Sequence, residues 1–226
     1  MTAIANRLIG IVDLRQIVAR EQRVEHVIAN ALGAGMQNFV LRTKEAPSAC
    51  IERVDWSELI LQIEHGGGRV ILHDSLLRVR PALAACARFQ HWSISRVQEL
   101  SKAGRSEEKT NPVQPFGVST HNLEQLRFAQ KLGASWAFIS PWAASASKDY
   151  AQNLLTEGML QSFAEHVAVP RFVLSGIDAE TIAGLPEGLV SGCVVMGMLT
   201  NPEANLQIRA LLHRMESKRW AMAIPW

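Results

Sequence analysis

The sequence has little cysteine, no marked excess of charge and no long hydrophobic segment, and each absence excludes a class of protein. No apolar run approaches the roughly 20 residues that a membrane helix needs. The three cysteines, Cys50, Cys86 and Cys193, are an odd number without the spacing of a metal site, which is typical of a reduced protein. Residues 1–7 lack the apolar segment of a signal peptide. We therefore expect a cytoplasmic protein.

The charge is nearly balanced, with 23 basic and 21 acidic side chains and a net charge of +2. Such a balance gives no electrostatic footprint for nucleic acid or for an anionic membrane. With 226 residues, of which 48% are hydrophobic, the chain can bury one large core. We therefore predict a single domain over residues 1–226, with a hydrophobic tail at 217–226.

Short apolar runs alternate with longer segments of helical period along the chain. The runs are nearly continuous in apolar residues, which is typical of parallel strands covered on both faces. Eight strand–helix pairs within about 250 residues predict an α/β fold of the (β/α)8 TIM-barrel type. A doubly wound open sheet is the alternative. The predicted strands are 8–12, 38–41, 70–72, 91–95, 116–119, 136–139, 171–174 and 193–196.

Helical segments are predicted between these strands and after the last one. They are 17–32, 56–65, 76–88, 97–103, 122–132, 159–166, 179–185 and 204–215. The polar stretch 104–115 contains Pro112 and Pro115 and is expected to be a loop.

Polar side chains follow the predicted strands at the end where this fold carries its catalytic groups. Arg42 and Lys44 share one side of strand 2, and basic groups seldom line a barrel without a partner. Two lysines, an arginine and several hydroxyl groups on one rim predict a site for an anion. The rim residues are Asp13, Arg42, Lys44, His73, Asp74, Ser119, His121, Ser140, Ser145, Ser147, Lys148 and Ser175.

Small residues follow strands 7 and 8, as Ser175-Gly176 and as Gly197. They allow backbone N–H groups to approach a phosphate beside a helix N-terminus. The loop Ser145-Ala146-Ser147-Lys148 adds hydroxyl and ammonium donors for phosphate oxygens. The alternatives are ordinary turns at the two glycines and a solvated loop before Lys148.

Acidic and imidazole groups near the rim offer metal or proton chemistry. Asp74 is a candidate ligand for Mg2+, or it pairs with Arg42 or Lys44. His121 is placed to transfer a proton near neutral pH, or only begins a helix. The other histidines fall on predicted helices or away from the rim and receive no role. They are His26, His65, His91, His166 and His213.

Several segments together resemble thiamine phosphate synthase and its relative, the thiazole tautomerase TenI. Gly117-Val118-Ser119-Thr120-His121-Asn122-Leu123-Glu124 is similar to the G-V-S-x-H-x-L-E pattern of both, and Leu41–Glu45 to their L-R-x-K segment. The loop from Ser140 to Lys148 matches a G-P-x-x-x-T-x-T-K loop in length and final lysine. Leu174-Ser175-Gly176-Ile177 resembles I-G-G-I, and Cys193 to Met198 resembles the last phosphate-binding strand.

The resemblance implies an enzyme of thiamine biosynthesis with small phosphorylated substrates. The synthase joins hydroxymethylpyrimidine diphosphate to thiazole phosphate and releases diphosphate. By this mapping Arg42, Lys44, Ser119 and Lys148 hold the diphosphate, and Asp74 binds Mg2+ as cofactor. The remaining matched positions contact the thiazole or its phosphate, namely Ser145, Ser147, Ser175, Gly176 and Gly197.

Some positions depart from the synthase pattern. His73 stands where the synthase has asparagine, and Gln98 falls near its second metal carboxylate, with Glu99 one position away. In TenI-like proteins a histidine matching His121 moves a proton on the thiazole, so the resemblance also implies the tautomerase as an alternative. A third hypothesis is a non-catalytic barrel that binds the thiazole phosphate. The hydrophobic tail either packs on the barrel bottom or forms a subunit contact of a homodimer.

Overall fold

The computed structural model describes residues 5–86, 88–102, 114–144 and 154–222. Eight parallel strands close into a barrel in which each strand pairs with its neighbours in sequence and β8 returns to β1. The predicted (β/α)8 barrel is confirmed, and the open sheet is excluded because Leu8, Ile9 and Gly10 pair with Cys193, Val194 and Val195. The strands are β1 (Leu8–Asp13), β2 (Asn38–Arg42), β3 (Arg69–His73), β4 (Phe89–Trp92), β5 (Phe116–Thr120), β6 (Trp136–Ile139), β7 (Arg171–Leu174) and β8 (Gly192–Val195).

Helices cover the outside of the barrel. The α-helices in the described ranges are α1 (Leu14–Ala19), α2 (Val24–Gly33), α3 (Ser48–Glu52), α4 (Trp56–His65), α5 (Asp74–Val79), α6 (Ile94–Lys102), α7 (Leu123–Lys131), α8 (Glu157–His166) and α9 (Ala204–Glu216). Short 3-10 turns occupy Ala5–Arg7, Pro81–Ala85, Thr181–Gly184 and Gly197–Thr200. Among these described helices, none combines the length and apolar character that crossing a membrane requires.

Several predicted boundaries were wrong for identifiable reasons. The predicted helix 17–32 is divided into α1 and α2 by a turn in which Glu21 has a positive φ of 54°. The predicted helix 76–88 ends at Val79, because Pro81 restricts the preceding residue and begins a 3-10 turn. The fourth strand is 89–92 and not 91–95, because the Ser93 hydroxyl accepts a hydrogen bond from the Arg96 N–H and caps α6.

Two apolar layers hold the barrel together. The outer layer lies between strands and helices, and an inner cluster fills the barrel itself. Because side chains alternate along a strand, the same inward faces that carry apolar residues deep in the barrel carry polar residues at the carboxyl ends. The inner cluster consists of Ile9, Ile11, Val40, Ile71, Trp136, Phe138, Phe172 and Val194.

The amino-terminal end of the barrel is closed by buried Arg171, half-buried Arg7 and the tail. Arg171 donates to the carbonyls of Val167 and Val169, at 2.6 and 3.0 Å. Arg7 donates to the carbonyls of Ser191 and Ala221, both at 2.9 Å. The tail therefore contacts the barrel bottom through Trp220 and Ala221, while 223–226 lie outside the described residues.

Gly117 is required by the packing of the barrel interior. A Cβ placed there would lie 1.9 Å from the indole Nε1 of Trp136, a fully buried side chain. We expect Gly117→Ala to lower the free energy of unfolding by about 1–3 kcal/mol, the usual cost of overpacking. Urea denaturation measures the change. Gly158→Ala, at a helical position with open space, is the matched control and should be neutral or stabilising. An equal loss in both variants would contradict the role of Trp136.

Candidate active site

An ion pair at the carboxyl ends of β1 and β2 positions the first cationic group. Asp13 and Arg42 are register partners, and the Arg42 Nε donates to the Asp13 carboxylate at 2.5 Å. The other Asp13 oxygen accepts the Gln16 N–H and caps α1, so the carboxylate is fixed by the backbone. Asp13 contacts the Nε of Arg42. The two terminal nitrogens of a guanidinium are the pair that can donate together to two oxygens of an anion.

A buried histidine, His91, lies beside the predicted Ser119. The His91 Nε2 and the Ser119 Oγ are 2.8 Å apart, and the His91 ring stacks on Phe138 with centroids 3.9 Å apart. His91 is 1% exposed. Burial is the main cause that holds the pKa of His91 well below its usual value. The charges of His73 and Arg42 lower the pKa further, whereas the charge of Asp74 raises it. The ring is therefore neutral near pH 7.

His91 corrects the sequence-based assignment, which placed this residue away from the rim. The error follows from the shifted fourth strand, because a strand over 89–92 turns His91 inward beside its register partner His73. Phe89 packs on the same inner cluster two residues earlier. The period of two from Phe89 to His91 was the signal that could have identified it. Buried within the barrel, its Nδ1 has no hydrogen-bond partner among the described residues.

Asp74 begins α5 at the end of β3 and is surrounded by donors. One carboxylate oxygen lies 2.8 Å from the His73 Nδ1, and the other accepts a 2.8 Å hydrogen bond from the Ser93 Oγ. Arg78, one helical turn away, lies 3.5 Å from the second oxygen. Burial alone would raise the pKa of Asp74, but the hydrogen bonds from His73 and Ser93 and the charges of His73 and Arg78 lower it to about 2.

These contacts bear on both predictions made for Asp74. Its ion-pair partner is Arg78 rather than Arg42 or Lys44. The surroundings of Asp74 do not fit Mg2+, which is commonly held by one or two carboxylates, because the Arg78 guanidinium already places a positive charge at one oxygen and the His73 ring lies against the other. Gln98 is exposed and Glu99 pairs with Arg78 and Arg96. Within the described ranges, no cluster of three or more His, Cys, Asp or Glu side chains is arranged for a metal.

His121 lies just after β5, exposed at the rim. Its Nδ1 is 3.1 Å from the carbonyl oxygen of Ser140, which follows β6. An imidazole that donates from Nδ1 to this carbonyl keeps a free electron pair on Nε2. The His121 backbone N–H donates to the Gln125 side chain at 2.8 Å, and Asn122 caps α7. The ring is held at the rim through Nδ1, which also lies 3.2 Å from the Ser140 hydroxyl.

The turn after β7 is locked against the loop after β6. Ser175 and Gly176 both have positive φ, at 83° and 63°. The Ser175 hydroxyl donates to the Ala143 carbonyl at 3.2 Å, and the Ala143 N–H donates back to the Ser175 carbonyl at 3.1 Å. A Cβ on Gly176 would lie 2.5 Å from the Ala144 carbonyl oxygen. Only glycine therefore fits at 176, whereas the serine at 175 retains the strain that glycine would relieve.

The remaining predicted residues differ in what the structure says of them. Gly197 begins a 3-10 turn after β8 and has open space where a side chain would be. Lys44 lies beyond the end of β2, is exposed and is 3.9 Å from Glu45. The argument from a shared strand face thus does not extend to Lys44. Ser145, Ser147 and Lys148 lie outside the described residues.

The chain matches a known family over nearly the whole barrel. A family model described as thiamine monophosphate synthase matches residues 8–199. The chain belongs to this family. The resemblance seen in the sequence is therefore confirmed, and with it the assignment to an enzyme family.

Individual relatives of this thiamine monophosphate synthase family member are distant, and they cover from about half of the chain to nearly all of it. Thiamine-phosphate synthase of Geobacillus thermodenitrificans (strain NG80-2) is 28% identical over 197 residues, 84% of this chain and 85% of that protein. The enzyme of the same name from Shouchella clausii (strain KSM-K16) is 29% identical over 106 residues, 46% and 51% of the two chains. Thiamine phosphate pyrophosphorylase from Pyrococcus furiosus shares the fold, with a TM-score of 0.68, 17% identity and coverage of 95% and 98%.

The buried neutral His91 predicts a specific sensitivity to acid. An unfolded histidine takes up a proton near pH 6.5, whereas folded His91 does not. Stability is therefore complete above pH 6.5 and falls below it, by about 1.4 kcal/mol for each pH unit that His91 resists protonation. We expect His91→Gln to flatten the decline in the free energy of unfolding between pH 6.5 and 5, measured in urea. His65→Gln, at an exposed helix end, should keep the wild-type slope. An unchanged slope in His91→Gln would refute the assignment.

Proposed function

We propose that this protein catalyses the synthase reaction of its family, which joins hydroxymethylpyrimidine diphosphate to thiazole phosphate. The family match over residues 8–199 is the observation that carries the proposal. The rim adds chemical support, because Arg42, Ser119 and Gly197 lie at the ends of three strands that the closed barrel brings to one face. Substrates of this kind are small and phosphorylated.

Catalysis of this reaction mainly requires stabilising the negative charge of the departing diphosphate and positioning the two substrates. The bond between the pyrimidine methylene carbon and the diphosphate oxygen breaks, and its electron pair leaves with diphosphate. The thiazole nitrogen then donates its lone pair to the carbocation and forms the new C–N bond. In our proposal Arg42, Lys44, Ser119 and Lys148 stabilise the departing diphosphate. We assign no step to a metal.

The phosphate of the thiazole is proposed to bind at the turns after β7 and β8. Ser175, Gly176 and Gly197 would offer backbone N–H groups there, with Ser145 and Ser147 contacting the same substrate. The locked Ser175–Ala143 contact supports this assignment because it holds the turn in one conformation before substrate arrives. A preorganised turn costs little conformational entropy when the phosphate binds.

The tautomerase reaction is the second candidate, and the geometry of His121 favours it. Its Nδ1 contact with the Ser140 carbonyl leaves Nε2 able to accept a proton from a thiazole precursor.

The cytoplasmic location, the homodimer and the single domain over 1–226 that the sequence suggests stay predictions.

A direct assay tests the two reactions. Purified protein is incubated with pyrimidine diphosphate and thiazole phosphate, in Mg2+ and separately in EDTA, and thiamine phosphate is measured by chromatography. We expect product, and no product in either buffer would exclude the synthase.

Proton exchange on the unaromatised thiazole phosphate then tests the tautomerase. His121→Ala should slow that exchange far more than the synthase reaction, and Lys148→Ala should abolish the synthase reaction.

Arg42 offers the sharpest test of the diphosphate site. We expect Arg42→Gln to lower kcat/KM by about 10- to 100-fold, the loss of one charge-assisted contact. Arg42→Lys should recover part of this loss, because it keeps the charge without the fork. Arg23→Gln, an exposed arginine paired with Glu25, is the control and should match wild type. Full activity in Arg42→Gln would remove Arg42 from the site.

A further inference from the structure

One arginine bridges the two carboxylates nearest to the place where the family resemblance puts a metal. The Arg78 Nη2 is 3.5 Å from the Asp74 Oδ2 and 3.3 Å from the Glu99 Oε2. Asp74 begins α5 and Glu99 lies on α6, so the guanidinium links the helices that follow β3 and β4. No sequence pattern had singled out Arg78.

The electrostatic balance of this cluster leaves nothing for a divalent cation to neutralise. Two carboxylates, Asp74 and Glu99, face two guanidinium groups, since Arg96 lies 3.9 Å from the Glu99 Oε2. The formal charges, −2 and +2, sum to zero. A free Mg2+ would have to displace the Arg78 guanidinium, because both cations would otherwise meet at the second oxygen of Asp74. Its own tightly held water shell makes that exchange costly.

Arg78 also has the exposure that contact with a substrate requires. Its side chain is 48% exposed, whereas that of Asp74 is 7% exposed. The carboxylate therefore acts from within the protein and the guanidinium meets the solvent. The contacts of Arg78 with Asp74 and Glu99 both involve Nη2. Because a guanidinium carries five N–H donors in a rigid fork, Arg78 has the donors to contact these carboxylates and phosphate oxygens together.

We propose that Arg78 takes the place of the divalent ion at this edge of the active site, so that the protein binds a diphosphate group without Mg2+. Asp74, Ser93 and Glu99 are then positioning residues that hold the guanidinium. The proposal rests on the proposed function for the identity of the anion. The part of the proposal that concerns metal binding can be tested whether or not the protein makes thiamine phosphate.

Metal binding by the protein alone is the first measurement. Mn2+ is titrated into wild type and followed by electron paramagnetic resonance of the free ion. We expect no binding below millimolar Mn2+. Arg78→Gln should bind Mn2+ at least 10-fold more tightly than wild type, because it frees Asp74 and Glu99 of their shared cation. Stoichiometric micromolar binding by wild type that disappears in Asp74→Asn would overturn the proposal.

Binding of inorganic diphosphate is the second measurement, by calorimetry in EDTA and again in Mg2+. Wild type should bind with similar affinity in both buffers, Arg78→Gln should bind about 10-fold more weakly, and Arg78→Lys should lie between them. Arg219→Gln, which breaks the Arg219–Glu187 pair near the tail, is the matched control and should behave as wild type. Thermal melting followed by circular dichroism verifies that each variant is folded.

The outcomes separate this proposal from the proposed function. Diphosphate binding that needs Mg2+, or that is absent in both buffers, would overturn the role of Arg78 even if thiamine phosphate is made. Metal-free binding that depends on Arg78 would support it even if the assay yields no thiamine phosphate.

Discussion

Closure of the sheet between β1 and β8 is the constraint on which the site depends. Ile9 pairs with Val194 and Asp13 with Arg42, so only β1 separates the last strand from the strand that carries the arginine of the anion site. In an open sheet the turns after β7 and β8 would lie far from β2. Closure places them on one rim, and the alternation of side chains then decides which groups face inward.

Inside this frame, buried polar groups are satisfied mainly by neighbours on adjacent strands or at helix starts. Asp13 serves both Arg42 and the first turn of α1, and Ser93 serves both Asp74 and the first turn of α6. Such double use lowers the cost of burying a charge, because each oxygen of the Asp13 carboxylate has a donor. It also means that the polar rim and the helix boundaries are specified by the same few side chains.

Much of the fold could be predicted from sequence because buried parallel strands are continuous apolar runs. The bounds of the fourth strand could not, since Gln90 and His91 interrupt the apolar run and the strand is only four residues long. That shift concealed His91. Arg78 was missed for a related reason: the third helix was predicted to start at 76, whereas a start at Asp74 places Arg78 one turn away on the same face. The Asp74–Glu99 relation depends on the reach of Arg78 from α5 to α6, which no local pattern reveals.

The contact of Arg7 with Ala221 at the barrel bottom has a consequence for what can be attached to this protein. Both described ends of the chain meet on the face opposite the polar rim, within reach of one guanidinium. A second protein unit joined through either end would therefore lie on the amino-terminal side of the barrel, away from the polar rim proposed to bind the substrates.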